Sequence, residues 1–203
     1  MLMRMHGTWI FAASLAACAL AGSALAQGQT DKKPGSSGHP APPAAQGAKA
    51  ETPQEFLAKR AGEYTRTIQF IGQQGAAAEP STGTSKISVI LNGRFIQEQN
   101  EDVVFGRPVT GMRFYGYNTA SKQYESVSLY TGSNAILMLT GTSSDGGRTV
   151  DYTGMTDSAN GVRSTLHARL RQVDDDQFVL TMSIVGSEGK ETPFNEITYK
   201  RKK

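Results

Sequence analysis

The chain has 203 residues, a single cysteine, Cys18, and a formal net charge of +3. One cysteine excludes an internal disulfide and any cysteine-built zinc finger or ribbon. Without Arg4, Lys32, Lys33, Lys49 and Asp31, residues 51 to 203 hold 17 Lys+Arg against 17 Asp+Glu, so that part offers no net basic field to gather nucleic-acid phosphates.

Residues 1–26 read as a secretory signal peptide. Arg4 and His6 precede an apolar run from Thr8 to Leu20, and Ala24-Leu25-Ala26 before Gln27 forms a small-x-small cleavage site. The run is too short for a spanning helix. The expectation is a periplasmic or secreted protein cleaved after Ala26. Leu15-Ala16-Ala17-Cys18 resembles a bacterial lipobox, which makes a membrane-anchored lipoprotein through Cys18 the alternative. Residues 27–50 carry Pro34, Pro40, Pro42 and Pro43 among Gln, Gly, Ser, Ala and Lys, with no hydrophobic period. Such a segment buries no core and reads as a disordered linker.

Thr52-Pro53-Gln54-Glu55 is a capping box with proline at the first helical position, and Gly62 ends the helical pattern. The expected helix, about residues 53 to 61, lays Phe56 and Leu57 across one end of the domain. From Gly62 the period is two. Ten strands are expected, at 62–71, 83–91, 94–105, 109–118, 122–130, 134–143, 148–156, 163–173, 176–185 and 192–200. Asn92-Gly93, Gly106-Arg107-Pro108 and Asp174-Asp175 are short turn chemistry. No connection has room for a crossover helix, so each strand pairs antiparallel with the next. Ten such strands leave two raw edges unless they close. Residues 51–203 are therefore expected to form an all-β, antiparallel up-and-down barrel of about ten strands with one short N-terminal helix. A barrel wider than eight strands leaves internal space, the first physical pointer to a ligand. The connection from Gly72 to Thr82 is long for a compact domain and reads either as a lid or as a merely mobile loop. The strand at 134–143 is apolar on both faces, through Ile136 and Met138 as well as Leu137 and Leu139. It calls for cover from the helix or a partner subunit, including a second copy. Lys200 to Lys203 reads as a solvated tail, with a membrane-surface or polyanion contact as the alternative.

Catalytic chemistry is sparse. His167 is the one histidine beyond residue 50, and strand parity sets it outward with Arg169 and Arg171. There is no Gly-x-Ser-x-Gly elbow, no calcium-loop spacing at Asp174 to Asp176, and no phosphate loop opening a helix. Glu98, Glu101 and Asp102 read as a polar strand face rather than a catalytic pair. No catalytic residue, metal or cofactor is expected. The aromatic side chains of the strands suit either a core or a pocket for a mostly apolar molecule. The residues assigned to such a pocket are Arg94, Phe114, Tyr152, Phe178 and Met182.

Gly62-Glu63-Tyr64, Leu91-Asn92-Gly93-Arg94-Phe95, Gly106 to Met112, Gly116 to Tyr124 and Glu196 to Arg201 together resemble a bacterial family, domain-of-unknown-function family 1579. The resemblance covers most of residues 51 to 202. It implies a lipocalin-like, calycin-type antiparallel barrel, often secreted, and no established activity. Relatives tend to carry tryptophan where this chain has Tyr64, and the only tryptophan here, Trp9, lies in the leader. The function expected is a non-enzymatic exported barrel binding a small, mostly apolar ligand, with no nucleic-acid partner. A cell-envelope structural or protein-interaction module is the alternative. A hydrolase or isomerase with an unrecognised site is the third reading.

Overall fold

A computed structural model describes residues 51–71, 79–157, 161–186 and 188–203. The signal-peptide and linker readings, and most of the loop read as a lid, lie outside these residues.

The first element is α1, Pro53–Ala58, a single short helix whose start is built as the sequence predicts. The Thr52 hydroxyl accepts from the Glu55 amide at 3.2 Å, and the Glu55 carboxylate accepts from the Thr52 amide at 2.8 Å. These two bonds satisfy first-turn donors that have no partner within the helix.

Ten strands follow: β1 (Gly62–Phe70), β2 (Ser81–Ile90), β3 (Phe95–Val104), β4 (Arg107–Asn118), β5 (Gln123–Tyr130), β6 (Leu137–Thr142), β7 (Thr149–Asp157), β8 (Arg163–Gln172), β9 (Gln177–Val185) and β10 (Glu191–Arg201). Each pairs antiparallel with the next, and β1 pairs with β10 from Tyr64↔Arg201 to Phe70↔Asn195, so the sheet closes into a barrel. The expected architecture is the observed one. The turns carry the backbone that this closure needs. Leu91, Asn92 and Gly93 all have positive φ between the paired Ile90 and Phe95, and Phe105 and Gly106 form the two-residue turn between β3 and β4. Positive φ at both central residues matches the right-handed twist of the flanking strands.

Two expectations change. β6 is shorter than the apolar run that encodes it, because Ala135 and Ile136 precede the strand. Ile136 is 60% exposed and Met138 65%, so neither is covered by α1. Arg201 is the last residue of β10 rather than part of a free tail. Its guanidinium donates to the Lys59 and Ala61 carbonyls at 2.9 and 2.6 Å, and lies 4.9 Å over the Tyr64 ring. It thereby serves two carbonyls of the segment that follows α1.

Strand polarity gives the barrel two different ends. α1 lies at the end where β1 starts and β10 finishes, with Phe56 and Leu57 buried and Leu57 part of the core. Among the described residues no helix covers the opposite end. Beneath α1 the core is aromatic: Phe178 stacks on Tyr199 at 4.1 Å, and Tyr64 meets both edge-on.

Candidate ligand-binding lumen

Alternation of period two decides which side chains enter the barrel. On β6 to β10 the lumen-facing residues are mostly apolar, including Leu139, Val150, Leu166, Ala168, Leu180 and Met182, all buried. On β1 to β5 the same inward positions turn polar in the middle of the barrel and towards the end opposite α1. There Arg66, Ser85, Glu98, Asp102, Ser126 and Ser128 are buried, and the Arg113 side chain keeps 16% of its exposure. The lumen therefore has a polar wall and an apolar wall.

Arg66 donates to Asp102 at 2.6 Å, and Asn100 donates to the same carboxylate oxygen at 2.6 Å. Glu98 lies between two guanidiniums, 3.9 Å from Arg66 Nε and 3.9 Å from Arg113 Nη1. Its hydrogen bonds come from the Ser85 hydroxyl at 3.1 Å and the Tyr115 hydroxyl at 3.4 Å. Arg113 in turn donates to Ser128 at 2.7 Å and to the Tyr115 oxygen at 3.0 Å. The Arg66 guanidinium sits 5.1 Å over the Tyr199 ring.

Burial sets the electrostatics. It works against the charged form of Arg66, but the surrounding acidic groups, Glu98 and Asp102 among them, outweigh it and hold its pKa above the ordinary value. Burial pushes the Asp102 carboxyl up, and Arg66 and Asn100 only partly offset this. The Tyr115, Tyr152 and Tyr199 phenols are all pushed up by burial and stay neutral. Bonding in this layer is incomplete: Arg66 Nε, Asp102 Oδ1 and the Tyr199 hydroxyl are buried without a hydrogen-bond partner. An unmet buried polar group costs about 1–3 kcal/mol, which makes these atoms a natural place for a polar group of another molecule.

Of the five residues assigned to a pocket from sequence, Tyr152, Phe178 and Met182 face the lumen and are buried. Arg94 does not; it closes the exposed turn between β2 and β3, its amide donating to the Leu91 carbonyl at 3.3 Å. Phe114 also faces outward, because its neighbours Arg113 and Tyr115 take the inward positions of β4. The polar layer itself is absent from the sequence reading. Glu98 and Asp102 are inside while Glu101 is outside, so the three do not share one face. A lone arginine in the inward series Tyr64, Arg66, Ile68 is the signal that marks the layer. His167 faces outward as expected, with Nδ1 2.7 Å from Glu191. Among the described residues no group of three or more His, Cys, Asp or Glu could hold a metal ion. An open groove of about 670 Å³ runs over Thr65, Thr67, Thr82 and Thr84 on the outer wall.

The barrel is similar to solved structures. The S-type phycobiliprotein lyase CPES from Guillardia theta aligns with a TM-score of 0.50 and 14% identity, over 75% of this chain and 94% of the lyase. A redesigned β-barrel, mFAP0, bound to DFHBI, aligns with a TM-score of 0.40 and 12% identity, over 70% of this chain and 99% of that one. At 14% identity the likeness to the lyase is one of fold. No curated protein matches the chain. Residues 49–201 match the family model described as a protein of unknown function, DUF1579, and the chain belongs to that family.

Proposed function

We propose that this protein is a non-enzymatic carrier of a small, mostly apolar molecule, acting outside the cytoplasm. The observation that carries the reading is the two-sided lumen. A ligand entering at the end opposite α1 would lay its apolar body on the wall of Leu139, Leu166 and Met182 and turn a polar group to Arg66 and Arg113. The exposure left to Arg113 is on an inward-facing side chain, which supports access from that end. Few convergent polar groups in a mostly apolar space are what fix orientation in ligand sites. In support of a non-enzymatic role, Glu98 and Asp102 are already engaged by arginines and hydrogen-bond donors, and His167 lies outside the barrel. Export rests on the leader pattern of residues 1–26.

The test is native mass spectrometry of the protein isolated from its own cells. A bound molecule of a few hundred daltons, lost in Met182→Lys, is the expected result. No adduct, together with no uptake from a lipid extract of the same cells, overturns the reading. The same spectra report processing: a chain starting at Gln27 supports the soluble exported form, and a lipidated Cys18 the anchored one.

A second reading is favoured by a different observation. Phe95, Leu129, Ile136, Met138 and Met155 are exposed apolar side chains on or beside the outer wall of β3 to β7. This band suits a protein partner or a second copy of the chain. Light scattering on Met138→Lys tests it: a complex or dimer that dissociates supports the reading, and a wild-type chain that stays monomeric and captures no partner argues against it.

A further inference from the structure

We infer that the carried molecule presents an uncharged hydroxyl to the polar layer, seated between Arg113 and Glu98, rather than a carboxylate or an amine. This rests on the carrier reading above and names the chemistry of the ligand's polar end.

The layer is already balanced in charge. Among the described residues it holds two guanidiniums, Arg66 and Arg113, and two carboxylates, Glu98 and Asp102. Asp102 meets Arg66 at 2.6 Å, and Glu98 lies 3.9 Å from each guanidinium. The further buried guanidinium, Arg60, is held under α1 by the Gly147 carbonyl and the Gln172 side chain. A carboxylate entering the layer would add a negative charge with no counter-charge left to meet it, and an ammonium a positive one. Unmatched charge in a buried site is costly. A neutral head adds none.

The spacing of the pair selects the group. Arg113 Nη1 and Glu98 Oε2 are 3.9 Å apart, too far for a hydrogen bond between them. One oxygen can stand within hydrogen-bond reach of both. It must then accept from the guanidinium and donate to the carboxylate. A hydroxyl does both with a single atom, whereas a carboxylate or an ether only accepts and an ammonium only donates. The neighbouring ion pair repeats the same two needs. Arg66 Nε is a buried donor without a partner, and Asp102 Oδ1 is a buried acceptor without one.

There is room for such a group. The Arg113 side chain points inward, bonded to Ser128 and Tyr115 and flanked by Glu98, all three of them buried. It nevertheless keeps 16% of its exposure, so space that admits water adjoins it. The residues around it that face the same way are small, with Ser85 on β2 and Ser126 and Ser128 on β5.

Four probes that share one apolar body test this: octanol, octanoate, octylammonium and octyl methyl ether, each titrated calorimetrically into the protein at neutral pH. Octanol should bind about tenfold or more tightly than each of the others, as loss of a hydrogen bond to a charged group predicts. Glu98→Gln takes one negative charge out of the layer, so it should narrow the gap between octanoate and octanol. A site that reads only the apolar body would leave that ratio unchanged. In the wild type, octanoate or octylammonium binding as tightly as octanol, or the ether binding like the alcohol, overturns the inference and leaves the carrier reading standing. A folded Glu98→Gln protein with the wild-type ratio also overturns it, and if that variant does not fold the wild-type order decides alone. Binding by none of the four overturns the carrier reading and this inference with it.

Discussion

Arg66 on β1 and Asp102 on β3 meet at 2.6 Å across Gly83, the residue of β2 that pairs with both of them. The strand between the two partners has no side chain at the crossing point. A Cβ on Gly83 would run into the Asp102 carboxylate and stand 2.5 Å from the Glu101 carbonyl oxygen. Gly83→Ala should therefore destabilise the barrel by about 1–3 kcal/mol, the usual range for overpacking. Urea unfolding measures it, and an unchanged midpoint would show that the crossing has slack.

Removing one partner of the pair should cost more than removing both. Asp102→Leu leaves Arg66 buried with Glu98 at 3.9 Å as its remaining carboxylate, and a broken buried pair costs about 3–5 kcal/mol. The double variant Arg66→Leu/Asp102→Leu should recover most of that loss. A double-mutant cycle on unfolding free energies reads the coupling directly. Additive losses would mean that the two charges are not coupled.

Asp102 also predicts an unusual sign of pH dependence. Its folded pKa is raised by burial above the unfolded value of about 3.9. The folded protein thus takes up this proton first. The group's contribution to stability is fully present below the unfolded pKa and is lost as pH rises through the folded one. Carbon-detected NMR titration of the carboxyl should place its midpoint above that of an ordinary aspartate. A midpoint below that of a free aspartate would mean that Arg66 and Asn100 outweigh burial.

The Tyr199 hydroxyl has no partner in the core, while its ring stacks on Phe178 and carries Arg66. Tyr199→Phe keeps both ring contacts and removes the unmet group. The empty barrel should then gain about 1 kcal/mol, read as a higher urea midpoint. A loss of stability instead would reveal a partner for the hydroxyl, and the carried ligand is the first candidate.

Arg201 joins the end of β10 to the end of α1 through two carbonyls and a tyrosine ring. Arg201→Ala should loosen α1 before it weakens the barrel. Hydrogen exchange should quicken at the helix amides while those of β3 and β4 stay protected. Uniform quickening across all strands would make Arg201 part of the global fold instead.

The barrel was legible because its signals are local. Asn92-Gly93, the capping box at Thr52 and the period of two from Gly62 each act over a few residues, and together they permit only nearest-neighbour pairing. The polar layer was not, because its meaning is non-local. Glu98 and Asp102 look like solvated strand residues until β1 brings Arg66 beside them, 36 positions from Asp102 in the chain. Arg94 shows the reverse error: it stands in the strongest motif of the sequence, yet that motif is a turn and turns point outward. Arg60 was hidden for a third reason. Its place under the barrel rim depends on how α1 folds back over Phe178 and Gly147, which no pattern in α1 itself encodes.

The seam between β1 and β10 joins the first strand of the barrel to the last, with Thr65 bonded to the Lys200 carbonyl 135 positions away. During synthesis β1 leaves the ribosome long before its second partner exists. Eight hairpin contacts can form in order, but the ring cannot shut until the final residues emerge. Pairing at such separation is slow, and the half-made sheet meanwhile presents two strands ready to pair with another chain. Loss of even the last ten residues would make that hazard permanent, so a late stop codon should be far more damaging here than its small size suggests.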